Sequence, residues 1–344
     1  MFEWVLRGNM QKTWNIILVL VVVVAVTGFL IAVFLYPETP FSGAPESVTL
    51  GVSPFQTSTL IWIAEDQGYF AANGLNVTIR SYDAGLYAVN ALIAGDVDIA
   101  TASEFVFVKK ILSGQNLSAV GCIAKTEDEY IVARKDRGIV TVTDLKGKKI
   151  GTSKGTNAEF YLGRFLSLNG ISPANVTIVD RTPPQLVDAI TTGDLDAVTV
   201  WEPYSYTAEK NLGASAVSFP AQAGQSYYWL LVTRPDYGKA HPEVITRLLH
   251  SFVQAETFVE RHPEKAQEIV RNRLHYDPEY TATIWTESQF ALSLDQSLVI
   301  AMEDESRWLM NNNITPKSAM PVFLDYLNRQ GLDTVKPESA TIIR

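Results

Sequence analysis

One cysteine in 344 residues, Cys122, rules out an internal disulfide, a C-x-x-C redox pair and a thiolate-rich metal site. Cys122 lies in an apolar strand pattern and reads as a buried structural thiol. The four histidines, His241, His250, His262 and His275, fall in one late helical region without metal-ligand spacing. There is no H-E-x-x-H, no Walker motif and no Rossmann glycine pattern. Basic residues are also scarce. With 28 Lys and Arg against 37 Asp and Glu, the net charge is −9, which argues against a nucleic-acid partner. Gly151-Thr152-Ser153-Lys154-Gly155 fits the G-x-S-x-G nucleophile elbow between a strand and a helix, but no histidine is placed to serve it. No metal, cofactor or catalytic residue is called for.

What the chain does have begins with residues 16–36, an uncharged run dominated by Val, Ile, Leu and Phe. About 20 such residues span a bilayer. Arg7 and Lys12 precede the run, which places residues 1–15 in the cytoplasm and the rest outside. The expectation is a single-pass anchor. The alternative is a cleaved signal, although so long an apolar core exceeds the usual h-region and Pro45 spoils Ser42-Gly43-Ala44 as a cleavage site. No cysteine follows that could carry a lipid. Residues 37–47, rich in Pro, Ser and Gly, read as a linker. Asn76, Asn116, Asn175 and Asn313 each open an N-x-S/T sequon, two of them at strand starts.

Beyond the linker the chain repeats itself. Asn76-Val77-Thr78-Ile79 and Asn175-Val176-Thr177-Ile178 each precede a helical pattern, Ala88, Leu92 and Ile93 in one copy and Leu186, Val187 and Ile190 in the other. Each helix runs into a Gly-Asp turn, Gly95-Asp96 or Gly193-Asp194, and then a buried strand ending in Ser103-Glu104 or Trp201-Glu202. Strands alternating with helices imply parallel sheets with right-handed crossovers, whose ligands bind beyond the carboxyl ends of the strands. Two such units imply two lobes and a cleft. Gln56-Thr57-Ser58-Thr59 puts more hydroxyls at a helix start than capping needs and is a candidate polar-head site. Tyr82 ends the second strand at another helix start. Ser153, Thr156 and Asn157 form the opposing loop, and Tyr227 opens an aromatic strand that returns between the lobes. Glu104 and Glu202 are the carboxylates with a claim to a shared site. From residue 242 onward helices are expected over 244–261, 263–273, 278–290, 296–312 and 316–330, folding back on lobe 1.

Ala64-(x3)-Gly68-Tyr69-Phe70, Gly74-Leu75-Asn76-Val77, Leu145-Lys146-Gly147-Lys148-Lys149-Ile150-Gly151, Gly193-Asp194-Leu195-Asp196-Ala197 and Trp201-Glu202-Pro203-Tyr204, in this order, resemble one family. It comprises the nitrate/sulfonate/taurine substrate-binding proteins of ABC transporters, with binding proteins for thiamine-pyrimidine precursors among them. The resemblance runs from about Val48 to about Arg329. It implies an α/β, two-lobed type II periplasmic-binding-protein fold that closes on a small ligand by hinge bending near Tyr130 and Tyr227. It also implies ligand contacts at Gln56, Thr57, Ser58, Tyr82, Ser103, Thr156, Asn157, Trp201 and Glu202, to which the strand-end reading adds Glu104, Ser153 and Tyr227. Lobe 1 is expected over residues 48–132, completed by helices from 234–344, and lobe 2 over 133–233. The expected role is a monomeric extracytoplasmic binding component that delivers a solute to an ABC permease and ATPase at the membrane. No arginine occupies a cleft loop, which leaves room for a pyrimidine-like ligand beside a sulfonate-, taurine- or nitrate-like anion. The rivals are an enzyme of the same fold, such as a pyrimidine synthase or a desulfinase, and a ligand-sensing receptor.

Overall fold

The computed structural model describes residues 41–316 and 319–343. The expected anchor at 16–36 and the cytoplasmic stretch 1–15 lie outside the described residues, as does the first part of the linker. Among the described residues no helix is long and apolar enough to cross a membrane. Gly43–Arg344 forms one compact unit, and all that follows concerns it.

Among the described residues eleven strands make two sheets. The first is ordered β11-β4-β10-β3-β1-β2 and contains β1 (Glu46–Val52), β2 (Leu75–Ser81), β3 (Ile99–Ser103), β4 (Ser118–Thr126), β10 (Tyr227–Thr233) and β11 (Ser288–Gln289). The second is ordered β7-β6-β8-β5-β9 and contains β5 (Glu129–Arg134), β6 (Lys149–Thr152), β7 (Thr177–Asp180), β8 (Ala197–Trp201) and β9 (Ala216–Pro220). In each sheet the three strands of the repeat are parallel, β2-β1-β3 and β7-β6-β8. Each trio is flanked by an antiparallel strand arriving from the other lobe, β10 beside β3 and β5 beside β8. β3, β8 and β10 are buried along their whole length, as central strands covered on both faces must be.

The Gly-Asp turns do the same job twice. Gly95 and Gly193 end their helices at φ +83° and +86°, in the left-handed region that glycine enters without a Cβ penalty. Three residues further on, Asp98 Oδ2 accepts the Thr49 N–H at 2.8 Å, and Asp196 Oδ2 accepts the Lys149 N–H at 2.9 Å. The second aspartate of each motif therefore pins the neighbouring parallel strand in register.

The C-terminal region packs on lobe 1. Helices Pro242–Arg261, Pro263–Leu274 and Pro278–Thr286 each begin with proline, whose missing N–H has no helical partner to lose at that position. Two expectations fail here. The helix foreseen over 278–290 stops at Thr286, because Ser288–Gln289 pairs with the edge of β4 as β11. The helix foreseen over 316–330 is replaced by a 3-10 turn, Phe323–Tyr326, an isolated bridge from Leu327 to Ala119, and a short helix Gln330–Val335. Pro321 lies inside that span, and its ring and missing N–H interrupt helical hydrogen bonding.

Candidate functional site

The carboxyl ends of β3 and β8 face each other across the lobes. Between them lies a small enclosed cavity lined by Ala84, Gly85, Ser103 and Val106 from one lobe, Thr156, Asn157 and Trp201 from the other, and Tyr227 and Trp229 from the returning strand. It leaves about 10 Å³ for the centre of a water-sized sphere, room for about one water, so the lobes stand closed on each other. Larger open grooves of about 740 and 610 Å³ lie elsewhere, the first beside Asn116 and Asp333, the second between the helix Asn157–Leu168 and Trp308. Neither lies where the strands of both sheets end, and we place the site in the interlobe cavity on that ground.

Several contacts hold the lobes together around it. Phe55, Trp201 and Tyr204 meet edge to face with centroids 5.8 to 6.2 Å apart. Tyr204 donates its hydroxyl to the Asp83 carbonyl at 3.3 Å, and Lys109 pairs with Glu159 at 2.6 Å. On the far side Phe160 sits between Phe105 and Trp308, with centroids 5.7 and 5.4 Å away.

The two crossings form the floor. The first passes from β4 to β5 through Asp128, the second from β9 to β10 through Gln222. Gln222 Nε2 donates to the Thr126 carbonyl at 3.1 Å, and its Oε1 accepts the Glu129 N–H at 2.8 Å, so one side chain ties both crossings. Asp128 Oδ2 accepts Gln56 Nε2 at 2.6 Å and the Tyr227 hydroxyl at 3.3 Å. Glu129 Oε2 accepts Asn157 Nδ2 at 2.5 Å. Asp128 Oδ1 and Glu129 Oε1 are buried without a partner. Both carboxyls are pushed well above the ordinary range, chiefly by burial and then by neighbouring negative charge, Glu202 for Asp128 and Asp128 for Glu129.

Of the residues singled out in the sequence, Ser103, Thr156, Asn157, Trp201 and Tyr227 come together on the cavity wall. Ser103 Oγ has no partner. Gln56 reaches Asp128 behind that wall, and Thr57 is buried with its hydroxyl unpartnered. Ser58 donates to the Ser53 carbonyl and accepts the Trp229 indole N–H at 3.2 Å. Ser153 is buried at the lobe boundary, where its side chain bonds Tyr87. Tyr82 is half-buried over Gly51.

Glu104 and Glu202 do not act as a pair. Glu104 accepts the Tyr228 N–H at 2.9 Å and faces the buried carboxyl of Glu305, and its own pKa is raised to about 8 by burial. Glu202, raised to about 7 by burial, accepts the Tyr280 hydroxyl at 3.0 Å and the Tyr206 N–H at 3.2 Å. The residues that sequence reasoning passed over are Asp128, Glu129, Gln222, Phe55 and Trp229. The acidic run Glu127-Asp128-Glu129 ahead of an apolar strand was the available signal, since charge entering a core strand asks for an explanation.

Two three-stranded parallel units, joined by two crossings and closed over a cavity at their strand ends, define a two-lobed periplasmic-binding-protein fold. The chain belongs to the NMT1/THI5-like family, which it matches over residues 56–266. It is 29% identical over 206 residues to the taurine-binding periplasmic protein of Escherichia coli (strain K12), covering 56% of this chain and 60% of that protein. The alkanesulfonate-binding protein of Xanthomonas axonopodis pv. citri, solved bound to MOPS, shares the fold at a TM-score of 0.71 and 20% identity, over 84% of this chain and all of that one (100%). A desulfurization enzyme also shares it, at a TM-score of 0.62 and 16% identity over 85% of this chain and 99% of that one. The fold therefore serves both binding and catalysis.

Proposed function

We propose that this chain is the extracytoplasmic solute-binding component of an ABC importer, which captures a small polar solute between its lobes and presents it to a permease and its ATPase. The observation that carries the reading is the interlobe cavity itself, lined from both lobes and holding the unpartnered hydroxyl of Ser103. Buried hydroxyls without partners cost free energy unless something fills the space. Kinship with a taurine-binding periplasmic protein supports the same role. Residues 16–36 serve in this reading as a single-pass anchor that holds a monomeric, extracytoplasmic domain beside its permease. Lobe 1 takes residues 48–128 with 227–344, and lobe 2 takes 129–226, each crossing strand counted with the sheet it joins and not, as expected from the sequence, with the lobe it leaves. Ser103, Thr156, Asn157, Trp201 and Tyr227 contact the solute. Gln56, Thr57, Ser58, Tyr82, Glu104, Ser153 and Glu202 complete the proposed ligand-binding set.

An enzyme of the same fold is the rival, and Cys122 weighs against its thiol-dependent form. The side chain is buried in β4 and its thiol is pushed up to about 12 by burial, which removes the thiolate a nucleophile needs. The test is thermal unfolding of the full chain in a non-ionic detergent against taurine, alkylsulfonates, nitrate, bicarbonate, aminopyrimidines and riboflavin. A solute that binds the folded state alone at about 100 times its Kd adds roughly 2.7 kcal/mol. A saturable shift with the compound recovered unchanged supports the reading, and chemical conversion of the compound overturns it in favour of an enzyme.

A further inference from the structure

The C-terminal region does more than complete lobe 1. Residues 276–289 leave that lobe, reach lobe 2 and return, and none of them lines the interlobe cavity. Both ends are fastened to lobe 1. Just before the segment, Arg273 pairs with Glu65 at 3.2 Å and lies over the Trp62 ring at 4.8 Å. Tyr276 donates its hydroxyl to Gln56 Oε1 at 3.5 Å. At the other end β11 pairs with β4, and the Glu287 carbonyl accepts the Glu127 N–H at 3.2 Å and the Thr126 hydroxyl at 3.1 Å.

The middle is fastened to three elements of lobe 2, each time by a tyrosine hydroxyl on a carboxyl. Tyr206, on the helix Tyr204–Leu212, donates to Asp277 Oδ2 at 2.8 Å. Tyr280 donates at 3.0 Å to Oε2 of Glu202, the residue after β8. Tyr130, in β5, donates to Glu287 Oε1 at 2.9 Å. Hydroxyls thus point both ways across the seam, and the segment and lobe 2 match each other. The rings of Tyr206 and Tyr280 lie 4.5 Å apart, and Tyr276 meets Tyr280 edge to face at 4.9 Å. Asp277 works twice, because its other oxygen caps the helix Pro278–Thr286 by accepting the Tyr280 N–H at 2.9 Å. Among the described residues the backbone of 276–289 makes no hydrogen bond to lobe 2. Parting the lobes therefore breaks side-chain contacts and leaves the segment's own fold intact.

Hydrogen bonds to a carboxylate are among the stronger ones a protein makes. A contact present only in the closed form shifts the balance toward that form. We propose that residues 276–289 are a strap that latches the two lobes shut in the absence of solute. The strap is then an internal inhibitor. A cavity with room for about one water admits no solute until the latch lets go, and apparent affinity weakens as open molecules become scarce. Trp201 lines the cavity and Glu202, its neighbour in the chain, holds the strap, so filling and unlatching act on one strand end. The latch goes beyond the solute-binding reading, which stands or falls without it.

The separation of the lobes tests it, read in the full chain in a non-ionic detergent with no solute added. Spin labels go on cysteines at exposed positions, Leu168 or Val140 of lobe 2, each paired with Val322 of lobe 1. Cys122 is buried and stays unlabelled. Pulsed dipolar spectroscopy is expected to find the parent in one closed population. In Tyr206→Phe/Tyr280→Phe the open fraction rises at least ten-fold, with a thermal midpoint near the parent's as the check on folding. Tyr130→Phe, at a half-buried position, moves the distances the same way by less, and it decides the matter if the double variant fails to fold. Tyr204→Phe removes an interlobe bond outside the strap and is expected to open the lobes less than the double variant. A parent already mainly open, a closed population unmoved by the strap substitutions, or equal opening by Tyr204→Phe overturns the proposal. The solute-binding reading is decided separately, by the thermal panel.

Discussion

Set side by side, the two parallel trios differ less in their frames than in their fillings. Both use a glycine in the left-handed region to end the helix and an aspartate to fasten the adjacent strand. Both place a glycine in the middle strand at equivalent points, Gly51 in β1 and Gly151 in β6. The space around those glycines differs. A Cβ on Gly51 would meet Val97 and Tyr82 at 3.2 and 3.3 Å, whereas on Gly151 it would meet two leucine methyls, of Leu186 and Leu195, at 2.5 Å. The strand ends differ most: a small hydroxyl, Ser103, faces a large ring, Trp201. The frame is fixed by backbone geometry that a parallel unit cannot do without. The rims are free to carry chemistry, and there the copies have diverged.

The comparison can be broken at its seam first. A Cβ on Gly163 of lobe 2 would lie 2.3 Å from the Trp308 ring, which packs against lobe 1 through Phe105. Gly163→Ala is expected to cost about 3 kcal/mol in the closed form and to weaken solute binding more than ten-fold. Calorimetry and denaturant unfolding together distinguish this from general destabilisation, which would lower both alike. Next, Gly151→Ala should lower unfolding free energy by about 2 kcal/mol and Gly51→Ala by under about 1 kcal/mol. Equal losses would mean that the lobes are packed alike after all. Removing the fastening aspartates should follow the burial of the amides they serve. Asp98→Ala is expected to cost about 1–2 kcal/mol, with Asp196→Ala smaller because Lys149 is exposed and water replaces the bond.

A further effect is in pH. Glu104 and Glu202 have folded-state values of about 8 and about 7, both raised from 4.5 by burial. The folded chain therefore keeps protons that the unfolded chain has released. Their contribution is full below about pH 4.5 and is lost as the pH rises through 7 to 8. The thermal midpoint should fall between pH 5 and 8, and Glu104→Gln should flatten that slope more than Glu202→Gln.

The frame was legible because its signals are local. The Asn-Val-Thr-Ile tetrads, the helical spacing and the Gly-Asp turns all lie within one unit, and they placed Ser103 and Trp201 at strand ends before any fold was in view. The floor of the cavity was not legible. Gln56 and Tyr227 meet Asp128 from 72 and 99 residues away, and no periodicity reports such a meeting. Glu104 misled for a related reason. Its place after a strand marks the rim, but its side chain turns back to accept the Tyr228 N–H, from a strand 124 positions later in the chain. The helix expected over 316–330 shows the converse, an apolar spacing overruled by a proline within it.

Gln222 has a mechanical consequence. A molecule bending at two separate strands could tilt, twist or shear. With one amide bonded to Thr126 and Glu129 in the first crossing and to Gln225 in the second, sliding either crossing past the other breaks bonds that a common rotation leaves intact. Under the solute-binding role proposed above, motion between the lobes is thereby confined to a single angle, the one coordinate that distinguishes an open site from a closed one.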